Sequence, residues 1–115
     1  MKKTILITGC SSGIGYCVAK GLHARGYRVF ATARRRDSVE MLLAEGLESF
    51  HLNLTDSNSI NFAFEEVMRR TDGELYALFN NGAYGLPGAV EDLSRDALRE
   101  QFETNVFGWQ ELTNL

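Results

Sequence analysis

The chain has 115 residues, of which 44% are hydrophobic and 23% charged, and its formal net charge at pH 7 is −3. This size and balance suit one globular domain with its own core, and the acidic charge argues against a protein that wraps nucleic acid. Its two cysteines, Cys10 and Cys17, fit neither a zinc spacing nor a disulfide framework, which favours a reducing compartment. No apolar run approaches the ~20 residues that span a membrane, so we expect a soluble, cytoplasmic protein.

Strand and helix patterns alternate four times along the chain. Short apolar runs that end at glycine or polar residues predict strands at residues 4–8, 27–33, 47–54 and 75–82. Helical spacing of apolar residues predicts four helices, which begin at Gly13, at residue 38, at Asp56 or Ser57, and after Ser94. Strands that alternate with helices form right-handed βαβ crossovers and a parallel sheet. The sequence therefore predicts an α/β fold of the doubly wound, Rossmann type.

The predicted sheet is incomplete, with about four strands. The last helical pattern still continues at Leu115, and no fifth strand pattern follows it. The fourth strand would then lie at an open edge, and open edges recruit partners. We therefore interpret residues 1–115 as the N-terminal part of a longer domain, and we expect the chain to form a homo-oligomer.

The stretch "TGCSSGIG" places three glycines between the first strand and the first helix. In doubly wound sheets, ligands bind beyond the carboxyl ends of the strands. Small residues let the main chain approach a diphosphate, and a helix N-terminus directs its free N–H groups at that anion. Gly9 would permit the turn, and Gly15 would let the helix lie close to the sheet. A plain tight turn is the alternative, but the position between strand and helix is the one that a dinucleotide site requires.

The same stretch resembles the cofactor loop of the classical short-chain dehydrogenases/reductases. Three further motifs agree with this family in order and spacing. "HLNLTD" resembles its adenine-contacting segment, "NNGAYG" its Asn-Asn-Ala-Gly motif, and "TNVFG" the helix that carries its catalytic asparagine. "GCSSGIG" and "ATARR" are most similar to the hydroxysteroid and retinol dehydrogenase branch. The resemblance covers essentially the whole chain and implies a domain that binds a nicotinamide dinucleotide.

The resemblance implies one catalytic residue, a set of cofactor contacts and no metal. Asn105 matches the catalytic asparagine, whose main-chain carbonyl would hold a water at a local helix distortion. Asn53 stands where the family has an aspartate that accepts from the adenine amino group; an asparagine that makes a local turn is an equal alternative. Gly82 and Ala83 reverse the family order. The expected cofactor contacts are Gly9, Ser11, Ser12, Gly13, Ile14, Gly15, Arg34, Asn53, Leu54, Asn81, Gly82 and Ala83.

Arg34 favours NADP(H) over NAD(H) as the cofactor. An NAD site usually places Asp or Glu near the end of the second strand, about 20 residues after the glycines, to bind the ribose hydroxyls. A guanidinium at that position attracts a 2′-phosphate, which a carboxylate would repel. Ser11 and Ser12 would add hydroxyl donors. A solvated charge run at a helix start is the alternative, and it suits Arg35 and Arg36 better.

The predicted function is the interconversion of an alcohol and a carbonyl in a small molecule by hydride transfer, with this chain as the cofactor half. In the resembled family this chemistry needs a serine and a Tyr-x-x-x-Lys pair after the fifth strand. Tyr16 and Lys20 have that spacing, but they lie on the first helix, so we interpret the match as coincidence and expect the chain alone to be inactive. The alternative function is a non-catalytic NADP(H)-sensing domain. A sugar-nucleotide enzyme of the extended branch fits less well, because those proteins usually carry Gly-x-x-Gly-x-x-Gly.

Five further side chains are assigned packing or cleft roles. Tyr84 and Leu86 follow the fourth strand and would line the substrate cleft. Cys10 would fill the turn after the first strand, while Cys17 would lie in the core beneath the first helix. Trp109 would pack the last helix.

Overall fold

The structure, a computed structural model, describes residues 2–85 and 87–115. The strands are β1 (Thr4–Ile7), β2 (Arg28–Ala33), β3 (Glu48–His51) and β4 (Ala77–Phe79). The helices are α1 (Gly13–Ala24), α2 (Arg36–Ala44), α3 (Ser57–Thr71), α4 (Arg95–Phe102) and α5 (Trp109–Asn114). A 3₁₀ turn (Val90–Asp92) precedes α4, and a π-helical segment (Glu103–Gly108) joins α4 to α5.

The strands form one parallel sheet in the order β3-β2-β1-β4. This confirms the predicted α/β, Rossmann-type sheet with four strands. The strand order reverses direction at β1, because β2 and β3 lie on one side of it and β4 on the other. The chain therefore leaves β1 and β4 toward opposite sides, which opens a crevice beyond their carboxyl ends. None of the helices in the described part of the chain is long and apolar enough to cross a membrane.

Two apolar layers cover the two faces of the sheet. Successive strand residues point to opposite faces, so Ile5 and Ile7 pack beneath α1 and α2, while Leu6 packs against α3 and α5. On the α3 side the rings of Phe30 and Phe50 lie 6.1 Å apart. Burial on both faces makes β1 the rigid centre from which the next turn departs.

The buried face of α1 differs from the predicted one. Ile14 is 69% exposed and Cys17 is also exposed, so the placement of Cys17 in the core is wrong. The reason is the close approach of the helix to the turn at Gly15, where an added Cβ would contact the carbonyl oxygen of Gly9. That approach turns Gly15 and Ala19 toward the sheet, together with Val18 and Leu22, which belong to the predicted apolar face.

Side-chain caps fix the start of two helices as the sequence predicts. The carboxylate of Asp56 accepts a hydrogen bond from the backbone N–H of Asn58 (2.9 Å), and the Ser94 hydroxyl accepts one from Ala97 (3.1 Å). Each bond satisfies a donor that a helix leaves free in its first turn. By contrast, α2 begins at Arg36, two residues before its predicted start.

The apolar stripe of the last helix is only partly covered. Leu112 is buried, but Leu98, Phe102 and Val106 are 41%, 51% and 45% exposed. The π-helical segment changes the angular position of the residues around it, because a wider turn inserts extra backbone into the helix. The pattern that predicts one continuous apolar face therefore divides into a buried end at α5 and an exposed part before it.

We expect Gly108→Ala to destabilise the fold by about 1–3 kcal/mol, because overpacking forces neighbouring atoms apart. An added Cβ at Gly108 would contact the carbonyl oxygen of Leu54 and lie 2.7 Å from its Cβ. Gly21→Ala is the matched control, since it is also a helical glycine and its added Cβ would have no neighbour within 4 Å. It should stabilise the fold by about 0.5–1 kcal/mol. Urea unfolding measures both, and similar effects from the two variants would contradict the close contact at Gly108.

Candidate functional site

The turn after β1 brings bare backbone to the crevice. Gly9 and Gly13 have φ angles of 68° and 61°, in the left-handed region that favours glycine. An added Cβ at Gly9 would lie 2.7 Å from the Cα of Gly82, so this position also needs glycine for space. At Gly13 the added Cβ would have no atom within 4 Å, so the backbone there faces open space. The turn can therefore admit a bulky group against its main chain.

The N-terminus of α1 leaves its donors available. Ser12 occupies the cap position in extended conformation, but its side chain makes no capping bond, and the first turn holds no acidic residue. At α3 and α4, in contrast, Asp56 and Ser94 satisfy one such donor each. Free N–H groups together with the positive end of the helix dipole form an anion-binding position.

Thr8 holds the loops after β1 and β4 together. Its buried hydroxyl accepts hydrogen bonds from the backbone N–H of Asn81 (3.0 Å) and of Gly82 (2.7 Å). In return the Asn81 side chain donates to the carbonyls of Thr8 (3.2 Å) and Gly9 (3.0 Å). Sequence analysis missed Thr8; the signal was a hydroxyl at the last position of an otherwise apolar buried run.

A cleft of about 640 Å³ opens where these loops separate. Seven of the predicted cofactor contacts line it: Gly9, Ser11, Arg34, Asn53, Leu54, Gly82 and Ala83. The other five, which are Ser12, Gly13, Ile14, Gly15 and Asn81, belong to the turn, the start of α1 and the brace behind the cleft. Tyr84 also lines the cleft, whereas Leu86 lies outside the described residues.

Arg34 differs from its neighbour in having no local partner. The Arg35 guanidinium donates to the carboxylate of Asp37 at 3.2 and 3.1 Å, outside the cleft. Arg34 is exposed at the cleft, and across residues 2–85 and 87–115 no hydrogen bond or ion pair engages its guanidinium. Among the three consecutive arginines, Arg34 is therefore the one whose guanidinium lies at the cleft and can bind an anion there.

Asn53 makes a local turn. Its Oδ1 accepts from the backbone N–H (3.0 Å) and the hydroxyl (2.7 Å) of Thr55. An N–H can only donate, so the bonded atom is the amide oxygen and the Nδ2 group remains as a donor. The side-chain oxygen of Asn53 therefore makes the local turn that the alternative interpretation predicts, with two bonds to Thr55.

Asn105 lies in the π-helical segment, so the predicted helix distortion is present. Its side chain does not point freely into the cleft. Nδ2 donates to the carbonyl of Tyr84 at 2.7 Å, and Oδ1 accepts from the N–H of Tyr84 at 3.2 Å. The two bonds fix the segment after β4 against the helix, and they engage both ends of the Asn105 amide.

Two further side chains of this helix reach the same loop. Gln101 donates to the carbonyl of Tyr84 (3.3 Å), and the indole N–H of Trp109 donates to the carbonyl of Gly82 (2.6 Å). Trp109 also packs against the α3-side core, as the sequence predicts, but its polar contact was missed. Gln101, Asn105 and Trp109 recur every four residues, which is the signal that a single face carries them.

The reversed pair Gly82 and Ala83 fits without backbone strain. Asp72 is the one non-glycine among the described residues with a positive φ, so Ala83 avoids the left-handed region. At Gly82 an added Cβ would lie 3.0 Å from Leu54 Cδ1 and 3.1 Å from Thr8 Oγ1, tighter than ordinary contacts. In this reversed order the residue without a side chain, Gly82, occupies the position that Leu54 and Thr8 crowd.

Tyr16 and Lys20 lack the electrostatics of a catalytic pair. The Tyr16 hydroxyl donates to Glu45 Oε1 at 2.5 Å, and Lys20 Nζ lies 3.4 Å from the same oxygen. This hydrogen bond to Glu45 raises the pKa of Tyr16, whereas a proton-transferring tyrosine needs a lowered one. The cluster joins α1 to the end of α2, in agreement with a coincidental match.

Cys10 fills the turn after β1, as predicted. The side chain is fully buried, its Sγ donates to the carbonyl of Ile7 at 3.4 Å, and burial raises the pKa of the thiol to about 11. A protonated, inaccessible thiol is neither a nucleophile nor a metal ligand. Within the described ranges no group of three or more His, Cys, Asp or Glu residues could hold a metal ion.

Comparisons with known proteins agree with this architecture. The sequence model of the family described as short chain dehydrogenase matches residues 3–115. An uncharacterized oxidoreductase, YbbO, from Escherichia coli K12 is 40% identical over 98% of this chain and 42% of its own. An NADPH-dependent 1-acyldihydroxyacetone phosphate reductase from Schizosaccharomyces pombe is 34% identical over 93% of this chain and 36% of its own.

A solved structure shows the same likeness in three dimensions. A variant of an actinorhodin polyketide ketoreductase, solved with NADPH, has a TM-score of 0.90 at 28% identity and is matched over 98% of this chain and 45% of its own. The chain thus spans less than half the length of the relatives that it matches.

We expect Thr8→Val to destabilise the fold by about 2–4 kcal/mol, because two partly buried N–H groups lose their acceptor. Thr8→Ser keeps the hydroxyl and should cost about 1 kcal/mol for the lost methyl group. Urea unfolding of both variants tests this. Equal losses would show that packing, and not the hydroxyl, joins the two loops.

We expect iodoacetamide at about pH 8 to alkylate Cys17 and to leave Cys10 unmodified in the folded chain, because only an exposed thiolate reacts. Mass spectrometry should find one label in native buffer and two in denaturant. Cys17→Ser is the control and should take up no label while folded. Labelling of native Cys10 at a rate near that of Cys17 would contradict its burial.

Proposed function

Because the chain belongs to the short-chain dehydrogenase family, we propose that residues 1–115 form the N-terminal part of an NADP(H)-binding domain and the cofactor half of an oxidoreductase. The complete enzyme would interconvert an alcohol and a carbonyl in a small-molecule substrate. Bound NADP(H) would supply or accept the hydride. The chain's own residues would bind the cofactor and hold one water of the proton relay.

The diphosphate of the cofactor would lie against the turn after β1. Gly9 and Gly15 keep side chains out of this position, and the open space at Gly13 is available to the phosphates. The backbone N–H groups from Ser12 to Gly15 would donate to phosphate oxygens, since the uncapped start of α1 leaves them without side-chain partners.

We infer that Arg34 selects NADP(H) by binding the 2′-phosphate, and the position of its guanidinium at the cleft is the observation that carries the proposal. Its guanidinium lies at the cleft without a local partner, and Ser11 lines the same cleft. The cation follows β2 directly, where an NAD site usually has a carboxylate. Support also comes from the fission-yeast reductase, which is named as NADPH-dependent, and from the ketoreductase solved with NADPH.

The adenine and its ribose would occupy the cleft between the loops after β3 and β4. The Oδ1 atom of Asn53 is occupied by Thr55, so Asn53 would donate from Nδ2 to a ring nitrogen of adenine instead of accepting from its amino group. Leu54 would contribute apolar contact, and the main chain of Gly82 and Ala83 would contact the ribose.

Asn105 would act through its main chain. Its side chain is bonded to the backbone of Tyr84, and the family resemblance assigns the catalytic water to its main-chain carbonyl. The serine and the Tyr-x-x-x-Lys pair are not supplied by this chain, so we expect it to bind cofactor without turnover. Self-association at the β4 edge and a cytoplasmic location stay predictions.

We expect Arg34→Asp to weaken NADPH binding by about 100-fold and to change NADH binding by less than about threefold. A charge-assisted hydrogen bond to phosphate contributes about 1.5–3 kcal/mol, and the new carboxylate repels the 2′-phosphate. Isothermal titration calorimetry with both cofactors measures the two affinities.

The matched control is Arg36→Asp, which makes the same charge change two residues along, outside the cleft lining. It should leave the NADPH-to-NADH affinity ratio nearly unchanged. Equal losses for both cofactors in Arg34→Asp would overturn the role of Arg34, and a wild-type chain that binds neither would overturn the cofactor site.

A further inference from the structure

The segment from Gly82 to Tyr84 is held from two sides. From the sheet, Thr8 accepts from the N–H of Gly82 at 2.7 Å. From the helix, Trp109 donates to the carbonyl of Gly82 at 2.6 Å, and Asn105 makes two bonds to the backbone of Tyr84. Both polar backbone atoms of Gly82 are thus bonded to side chains of elements that lie outside its own loop.

A glycine at this position needs such restraint. Glycine has the largest backbone freedom of any residue type, and Gly82 lies in the wall of the cleft. Crowding by Leu54 and Thr8 explains why no larger residue occupies the position, but these contacts do not fix the orientation of the peptide that follows. The indole of Trp109 does fix it, because it bonds the carbonyl oxygen of that peptide.

We propose that Trp109 is a positioning residue, which orients the Gly82–Ala83 peptide so that its main chain meets the cofactor. This inference rests on the proposed NADP(H) site. Trp109 itself is outside the cleft lining and packs on the α3-side core, so it acts only through Gly82. Without the indole N–H the loop populates more conformations, and the cofactor must then order it on binding, which weakens affinity.

The test is Trp109→Phe, which removes the N–H donor and keeps an aromatic ring in the core. We expect NADPH and NADH to bind about fivefold more weakly, the usual weight of one hydrogen bond. Their affinity ratio should stay unchanged, since the loop lies away from the 2′-phosphate and Arg34 is intact. Calorimetry gives both constants. Phe107→Leu, at an exposed neighbouring side chain, is the control and should bind as the wild type does.

Amide hydrogen exchange separates positioning from general loss of structure. In Trp109→Phe the amides of Gly82 and Tyr84 should exchange faster, while those of Leu6 and Phe30 in the sheet should keep their protection. If Trp109→Phe does not fold, benzothienylalanine at position 109 preserves the ring shape without the N–H and gives the same readouts.

Three outcomes overturn the inference. The first is unchanged affinity for both cofactors in the variant, and the second is an equal acceleration of exchange across the whole sheet. The third is a wild-type chain that binds neither cofactor, and it removes the proposed function as well. If the wild-type chain binds both cofactors and Trp109→Phe binds them equally well, only the positioning role of Trp109 is wrong.

Discussion

A buried hydroxyl holds together the two loops on which the site depends, and an asparagine side chain reinforces it. Thr8 follows β1 directly, and its Oγ1 accepts hydrogen bonds from two backbone N–H groups of the loop after β4. Those strands lie at the point where the sheet order reverses, so their loops would otherwise separate. The bond keeps the gap narrow at its base, and the approach between Gly9 and Gly82 follows from it. The cleft opens above this junction, beyond the carboxyl ends of β1 and β4.

Positive and negative groups line different sides of the cleft. On one side lie the uncapped start of α1 and the unpaired guanidinium of Arg34. On the other side, α4 and the π-helical segment contribute Glu100 and Glu103. An anionic ligand is attracted to the first wall and repelled by the second, so the field orients the ligand as well as holding it. The ordinary net charge of the chain gives no sign of this arrangement, since it sums over both walls.

Periodicity in the sequence was sufficient for the sheet and for most helix starts, because those follow from local burial and capping. It failed where two elements touch. The face of α1 is set by contact of Gly15 with the turn, and this contact is invisible to a helical pattern that counts only apolar residues. In the site, the glycine turn and Arg34 could be predicted from position along the chain. The Oδ1 bonds of Asn53 and the indole bond of Trp109 depend on distances between side chains and loops, which a sequence pattern does not contain.

The π-helical segment also sets the angular phase of everything that follows it. An α-helix turns by about 100° per residue, and a π-type widening amounts to one residue inserted into that progression. If residues 103–108 instead adopted regular α-helical geometry, the same number of residues would turn through about 100° more. Trp109 and Gly108 would then rotate by about a quarter turn, away from Gly82 and Leu54. The extra residue thus acts as a phase offset that keeps the indole of Trp109 aligned with the carbonyl of Gly82.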